Sequence, residues 1–336
     1  MTTFNSVSDL ARSYQLRLGQ AGLKSRLDAL SKETTTGLKS DIPRALNGNL
    51  ANITAIEGRL TMLEAFSRNM AEADSLLSSM QTALSQLQSS SSRNGTLLLS
   101  GALTSSDTSL MINVRQAAAD FEGAVSALNT SVGGRSAFSG TRTDGPAVSN
   151  PDEIIDQISA FIGSATTAAD ILSAVDSYFE APLGSGGYID TGYLGADGVN
   201  SVEISPDRKI STDLTAISSE LRDTVKGLAI MAYASRNGAL AIHTVRELSQ
   251  AAGTLLVNGE AGVTAAQAHV GVQQDLLATT RTKNEAETAS LNIARNGLVA
   301  ADPYESSAAL KEVEANIETV YALTARLSKL TLLDYL

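Results

Sequence analysis

One run of apolar residues constrains this chain more than anything else in it. Leu63, Phe66, Met70, Ala73, Leu77, Met80, Leu84 and Leu87 follow one another at alternating spacings of three and four. A repeat of about 3.5 residues places all of them on one stripe of a helix and makes that stripe the seam of a coiled coil. Leu63, Phe66, Met70, Leu77, Met80, Leu84 and Leu87 are therefore read as coiled-coil core. Methionines at this spacing fill a packed interface and do not mark a cofactor box. Ile53, Ile56 and Leu60 extend the apolar face upstream, and one helix over 50–88 would span about 60 Å. The run Ser89-Ser90-Ser91-Ser92-Arg93-Asn94-Gly95 then predicts a break or frayed turn.

Similar stripes occupy both ends. Leu16, Leu23, Leu27 and Leu30 predict an N-terminal helix that stops at Gly37, followed by a loop around Pro43 and Gly48. Residues 110–130 resume helical periodicity through Val114, Ala118, Phe121, Val125 and Leu128, and Gly133-Gly134 ends it. Near the C-terminus, Asp302 reads as an N-cap with Pro303 at the first helical position. Leu310, Val313, Ile317, Val320 and Leu327 then step by threes and fours, with Thr324 as the polar exception. Leu214 to Met231 and Ile242 to Leu255 form two further stripes, and residues 260–298, nearly free of breakers, predict a second long helix.

Between these ends the texture changes. Gly and Pro cluster from Arg135 to about Asp213; short helices are expected at 152–162 and near 167–180, with Asp152 as a first-turn carboxylate. Strand-like alternation runs over 187–211, with Asp197-Gly198 and Pro206-Asp207 as turns. The expected division is 1–45, an N-terminal assembly helix; 46–134, a long helical region; 135–212, a middle domain; 213–298, a second long helical region; and 299–336, a C-terminal assembly helix. The fold class expected is mainly α, with long antiparallel coiled-coil helices from both termini and a small inserted α+β middle domain. Terminal helices can pair only if the chain folds back on itself, so both termini are expected at one end.

Composition agrees with close helix packing. The chain is 43% hydrophobic but only 4% aromatic, without Trp, so small and straight-chain residues supply the contacts. A net charge of −11 without a basic stripe argues against nucleic-acid partners. The absence of Cys excludes disulfides and thiolate chemistry. No apolar run reaches membrane-spanning length, and Met1 to Ala11 lacks the basic and apolar regions of a signal peptide. Neither membrane insertion nor a cleaved signal is expected.

A search for chemistry finds no convergent cluster. His243 and His269 lie in helical segments without ligand spacing. Gly133-Gly134-Arg135-Ser136 lacks the Lys-Ser/Thr pair of a phosphate loop, and Gly37-Leu38-Lys39-Ser40 lacks its preceding Gly. Asp152/Asp156 and Glu312/Glu318 read as solvated helix faces, and Glu285/Glu287 cannot share a face. No catalytic, metal or cofactor site is expected, and the chain is not read as an enzyme. The amphipathic helices remain, with part of their apolar surface available to neighbouring subunits.

Three segments carry a family resemblance. Leu30-Ser31-Lys32-Glu33-Thr34-Thr35-Thr36-Gly37-Leu38-Lys39 is similar to the Ser/Thr-Gly-basic element that closes the first helix in the flagellin superfamily. Ala127-Leu128-Asn129-Thr130 through Gly133-Gly134-Arg135-Ser136-Ala137-Phe138-Ser139-Gly140-Thr141-Arg142-Thr143-Asp144 resembles the Gly-Arg-x-x-Phe-Ser-Gly-Thr-x-Thr-Asp stretch of its hook–filament junction branch. Thr324 to Leu336 resembles the C-terminal ending of the same branch. The family motif is thus carried by Gly134, Arg135, Phe138, Ser139 and Gly140. The opening residues depart from the family pattern: they lack the Asn-rich start usual in flagellins.

The resemblance implies a flagellin-like fold and a structural subunit of the bacterial flagellum, joining hook to filament through coiled-coil self-assembly of its terminal helices. It implies an extracellular location reached by flagellar type III export without a cleaved signal. The partners implied are further copies in a ring or helical layer, a neighbouring hook-associated protein, flagellin, and an export chaperone. The assembly residues would be Leu23, Leu27, Leu30, Leu310, Val313, Ile317, Val320, Leu327, Leu330 and Leu333. A filament flagellin is the nearest alternative, and a cytoplasmic coiled-coil adaptor a more distant one.

Overall fold

The computed structural model describes the backbone of residues 4–333 and the side chains of residue 11 and residues 14–326. The order of elements is α1 (Phe4–Thr36), α2 (Ile42–Ala45), α3 (Ala51–Thr104), α4 (Asp107–Leu128), β1 (Ser131–Val132), β2 (Arg135–Ser136), α5 (Pro151–Ile162), α6 (Ala168–Glu180), β3 (Asn200–Ser205), β4 (Arg208–Thr212), α7 (Ser219–Arg236), α8 (Ile242–Val299) and α9 (Pro303–Leu333). The chain divides into two compact units, Met1–Met62 with Glu285–Leu336, and Leu63–Asn284. Among the described residues no helix is long and apolar enough to cross a membrane.

The unit Leu63–Asn284 is built on α3, α4, α7 and α8. Gln81 Nε2 donates to Gln267 O at 2.8 Å and Ser91 Oγ to Leu256 O at 2.7 Å, which sets α3 antiparallel to α8. Arg93 reaches Asp120 at 2.6 Å and Gln86 reaches Gly123 O at 3.3 Å, which sets α3 antiparallel to α4. Glycines let these helices approach closely. A Cβ at Gly262 would lie 2.4 Å from Glu220 O, and one at Gly253 would lie 2.8 Å from Leu99 Cγ.

The break expected at Ser89–Gly95 does not occur, and α3 runs through it. Ser89 Oγ donates back to Ser85 O at 2.8 Å and Asn94 Nδ2 to Ser90 O at 2.8 Å, so these donors are satisfied along the helix, while the buried Asn94 Oδ1 accepts no bond. Ser91 is fully buried on the Leu256 carbonyl, and Gly95 gives Val257 room. Tertiary contacts override the local breaker signal. Likewise α8 begins at Ile242 and joins two segments read separately in the sequence.

The middle of this unit carries α5 and α6 much as expected, and Pro151 opens α5. Asp152 falls in the first turn of α5, while the N–H of the preceding Asn150 donates to Glu153 at 3.4 Å. Tyr188–Gly192 forms one π-helical turn in place of the expected strand. Its geometry is held by burial of Tyr188 against Phe179, ring centroids 4.9 Å apart. β3 and β4 pair antiparallel across the Pro206-Asp207 turn, with an irregularity between Glu203 and Ser205. Gly133 and Gly134, at φ 58° and 80°, turn β1 back onto β2, as a two-residue hairpin with two positive φ values requires. Phe138, Ile154, Tyr178 and Ile210 share one buried cluster with Leu77, Phe121, Leu228 and Leu256. Residues 135–212 therefore have no core separate from that of the helices.

Candidate assembly interface

In the other unit, α1 and α9 lie antiparallel. Ala301 N–H donates to Gly37 O at 2.9 Å and Lys39 N–H to Val299 O at 2.8 Å, a short antiparallel bridge beside the start of α9. Gln20 Nε2 reaches Thr324 Oγ1 at 3.5 Å farther along, so the polar exception in the α9 stripe faces a polar residue of α1. The Ser/Thr-Gly-basic segment builds the corner. Thr34, Thr35 and Thr36 hydroxyls donate to the carbonyls of Leu30, Ser31 and Lys32 at 2.7–2.8 Å. Gly37, at φ 70°, ends the helix. Glu33 Oε1 accepts from Ser40 N–H at 2.8 Å and Ser40 Oγ at 2.9 Å. Asp302 accepts from the N–H groups of Tyr304 and Glu305 at 2.8 and 3.2 Å, capping α9 as expected. Arg59 forks onto Glu287, with Nη2 to Oε2 at 2.9 Å. That contact lowers the Glu287 pKa.

Leu23, Leu27, Leu30, Leu310, Ile317 and Val320 are half-buried in this unit, and Val313 is buried. The side chains of Leu327, Leu330 and Leu333 lie outside the described residues. Two helices leave one another partly open, and a further set of apolar side chains is more exposed still. Tyr14, Leu18, Tyr321 and Leu323 are 64%, 56%, 63% and 48% exposed. The stripe read from the sequence did not include these four. The i,i+4 pair Tyr14/Leu18 is the signal that could have found half of them.

The seven residues assigned to the coiled-coil core, Leu63, Phe66, Met70, Leu77, Met80, Leu84 and Leu87, are all buried in α3. The five residues that carry the resemblance have architectural tasks in the same unit. Gly134 completes the β1–β2 turn, and Arg135 Nη1 meets Glu72 of α3 at 2.6 Å. Phe138 is fully buried, and its carbonyl accepts from Ala216 N–H at 2.9 Å. Ser139 O accepts from Ala196 N–H at 2.9 Å. Gly140, at φ 63°, approaches Ala196 so closely that a Cβ would sit 2.0 Å from its carbonyl oxygen, which glycine alone accommodates.

The groups weighed for chemistry are dispersed. His243 and His269 are exposed, and His269 Nδ1 lies 3.5 Å from Asp213. Asp152 and Asp156 lie on a solvated helix face as expected, and there both meet Arg236, at 2.8 and 3.1 Å. Glu312 and Glu318 are exposed.

These helices and their small inserted sheets define a flagellin-like fold. Residues 258–336 match the family described as the bacterial flagellin C-terminal helical region. Among solved structures, the chain is similar to a Vibrio parahaemolyticus protein described as a flagellar hook-associated protein, with a TM-score of 0.51 and 15% identity over 73% of this chain and 94% of that one. It is similar to the same degree to Bacillus cereus FlgL, TM-score 0.51 and 15% identity, over 71% of this chain and 97% of that one. At such identity the likeness is one of fold. No curated protein matches the chain.

Proposed function

We propose that this chain is a structural subunit of the bacterial flagellum, placed at the junction of hook and filament, and not an enzyme. The observation that carries the reading is the α1–α9 pair. Leu23, Leu27, Leu30, Leu310, Ile317 and Val320 are only half-covered around the buried Val313, while Tyr14, Leu18, Tyr321 and Leu323 stay open. Apolar surface of this kind is stabilised when neighbouring helices cover it. The flagellar match over residues 258–336 and the two flagellar structures of similar fold support the setting.

On this reading copies associate through their terminal helices into a ring or single helical layer. Hook-associated protein contacts one side and flagellin the other. Leu23, Leu27, Leu30, Leu310, Val313, Ile317, Val320, Leu327, Leu330 and Leu333 carry the packing between copies. The subunit acts outside the cell after flagellar export with a chaperone. A filament flagellin is the second reading, favoured by the flagellin match itself. Purified junction subunit stays in small assemblies, whereas flagellin polymerises into long filaments.

The test is a clean deletion. Cells with hooks but no filaments, shedding flagellin into the medium, are the expected result. Normal attached filaments would overturn the proposal, and loss of filaments without shed flagellin would transfer it to the flagellin reading.

A further inference from the structure

Charge is segregated along this chain. From Thr143 to Asp207 the sequence holds eleven of the 36 acidic residues and none of the 25 lysines and arginines. The rest of the chain has as many bases as acids, so the whole net charge of −11 resides in this one stretch. It includes α5, α6, the π-helical turn and β3, all within the unit Leu63–Asn284.

The cations that reach these acids come from elsewhere in the chain, Lys283 of α8 acting on Asp207 among them. Arg236 of α7 takes Asp152 and Asp156, and Lys226 of α7 takes Asp176 and Glu180, at 2.7 and 3.6 Å. Lys209 of β4 pairs with Glu203 at 2.9 Å. Arg142 stands 3.9 Å from Asp144, with both side chains largely in water. Asp170 and Asp197 are exposed and satisfied only by local hydrogen bonds, to Thr167 and to the Gly198 N–H. Those bonds leave their charge in place.

We infer that Thr143–Asp207 forms an anionic lobe that holds neighbouring copies of this chain apart, so that self-association is governed by the ionic strength of the medium. The inference rests on the assembly proposed above. Like-charged lobes brought side by side repel strongly at low salt, and the repulsion is screened as the Debye length falls from ~30 Å at 0.01 M to ~8 Å at 0.15 M. Apolar contacts between terminal helices do not weaken over the same range, so the balance between copies moves toward association as salt rises.

The experiment is sedimentation velocity on the full chain between 10 and 300 mM NaCl. The wild type is compared with a triple variant, Asp144→Lys, Asp170→Lys and Asp197→Lys, and with the milder Asp→Asn triple at the same sites. Circular dichroism verifies that each variant folds. The wild type is expected to associate on the order of tenfold more tightly at high salt. The Lys triple should associate more tightly at low salt with a flattened salt dependence, and the Asn triple should fall between. Wild-type association that is flat or falls with salt, or variants that keep the wild-type dependence, would overturn the inference. If no chain associates at any salt, the assembly reading fails. The lobe is then read from monomer–monomer repulsion in static light scattering at 10 mM NaCl: loss of repulsion in the variants supports it, and undiminished repulsion sinks it.

Discussion

Asn69 of α3 and Asn284 of α8 donate their side-chain amides to consecutive carbonyls of β3, Glu203 O at 2.8 Å and Ile204 O at 3.1 Å. The irregularity between Glu203 and Ser205 leaves Ile204 without a cross-strand partner, and Asn284 supplies the missing donor. Asn284 is buried, whereas Asn69 reaches an exposed carbonyl. Asn284→Ala strands a buried acceptor and is expected to cost about 1–3 kcal/mol, and Asn69→Ala about 1 kcal/mol or less. Urea midpoints of the two variants should therefore differ clearly; equal midpoints would contradict this account of the hairpin.

Two glycines of α8 should respond to alanine with opposite signs. At Gly262 the new Cβ would meet Glu220 O of α7 at 2.4 Å, while at Gly271 the nearest atom is 3.9 Å away. Gly262→Ala forces the helices apart and is expected to cost about 1–3 kcal/mol. Gly271→Ala only stiffens a helix and should gain about 0.5–1 kcal/mol. Thermal unfolding reads both.

Lys226 is 6% exposed at its side chain, whereas its partners Asp176 and Glu180 are more than half exposed. Replacing the lysine leaves two carboxylates that water can solvate, so Lys226→Met should change stability by about 1 kcal/mol or less. Asp176→Asn combined with Glu180→Gln leaves the ammonium buried alone and is expected to cost about 3 kcal/mol. The reverse order in denaturant titrations would show that the lysine does not depend on these partners.

Burial pushes the Tyr188 phenol well above its ordinary range, and the phenols of Tyr178 and Tyr193 add to the rise. A raised folded pKa means that this stabilisation is complete below the unfolded value of ~10 and is lost as pH climbs above it. Unfolding monitored between pH 9 and 11.5 should show falling stability. Tyr188→Phe, whose lost hydroxyl made only a 3.4 Å bond to Ala216 O, should flatten the slope. An unchanged slope would assign the alkaline loss to another group.

Val320→Asp places a charge on the half-buried stripe of α9. The unit Leu63–Asn284 should keep its thermal transition, while cells carrying the variant should lose filament attachment. Normal swimming would remove Val320 from the proposed contact between copies.

Much of this architecture is legible in the residues. The three–four spacing from Leu63 to Leu87 marks the buried face of α3 because helix geometry alone dictates it. Asp302-Pro303 marks the start of α9 because a cap and a preset φ act locally. Ser89–Gly95 misleads because Ser91 is buried on the Leu256 carbonyl and Gly95 packs against Val257, both far along the chain. The turn at Tyr188 is hidden for the same reason: aromatic packing across α6 bends a segment whose pattern suits a strand. At the candidate interface, periodicity marks which residues of α1 and α9 are apolar. It does not distinguish those facing the partner helix of the same chain from Tyr14, Leu18, Tyr321 and Leu323, because one helix can carry two apolar faces and the period is common to both.

The stretch without lysine or arginine also changes how this protein can be mapped by proteolysis. Trypsin cuts after those two residues, so between Arg142 and Arg208 it has nowhere to act, folded or unfolded. A persistent tryptic fragment from this segment reports composition and says nothing of protection. An enzyme that cleaves at aspartate or glutamate finds its sites concentrated there instead, and is the one whose digestion pattern reports whether α5 and α6 are folded.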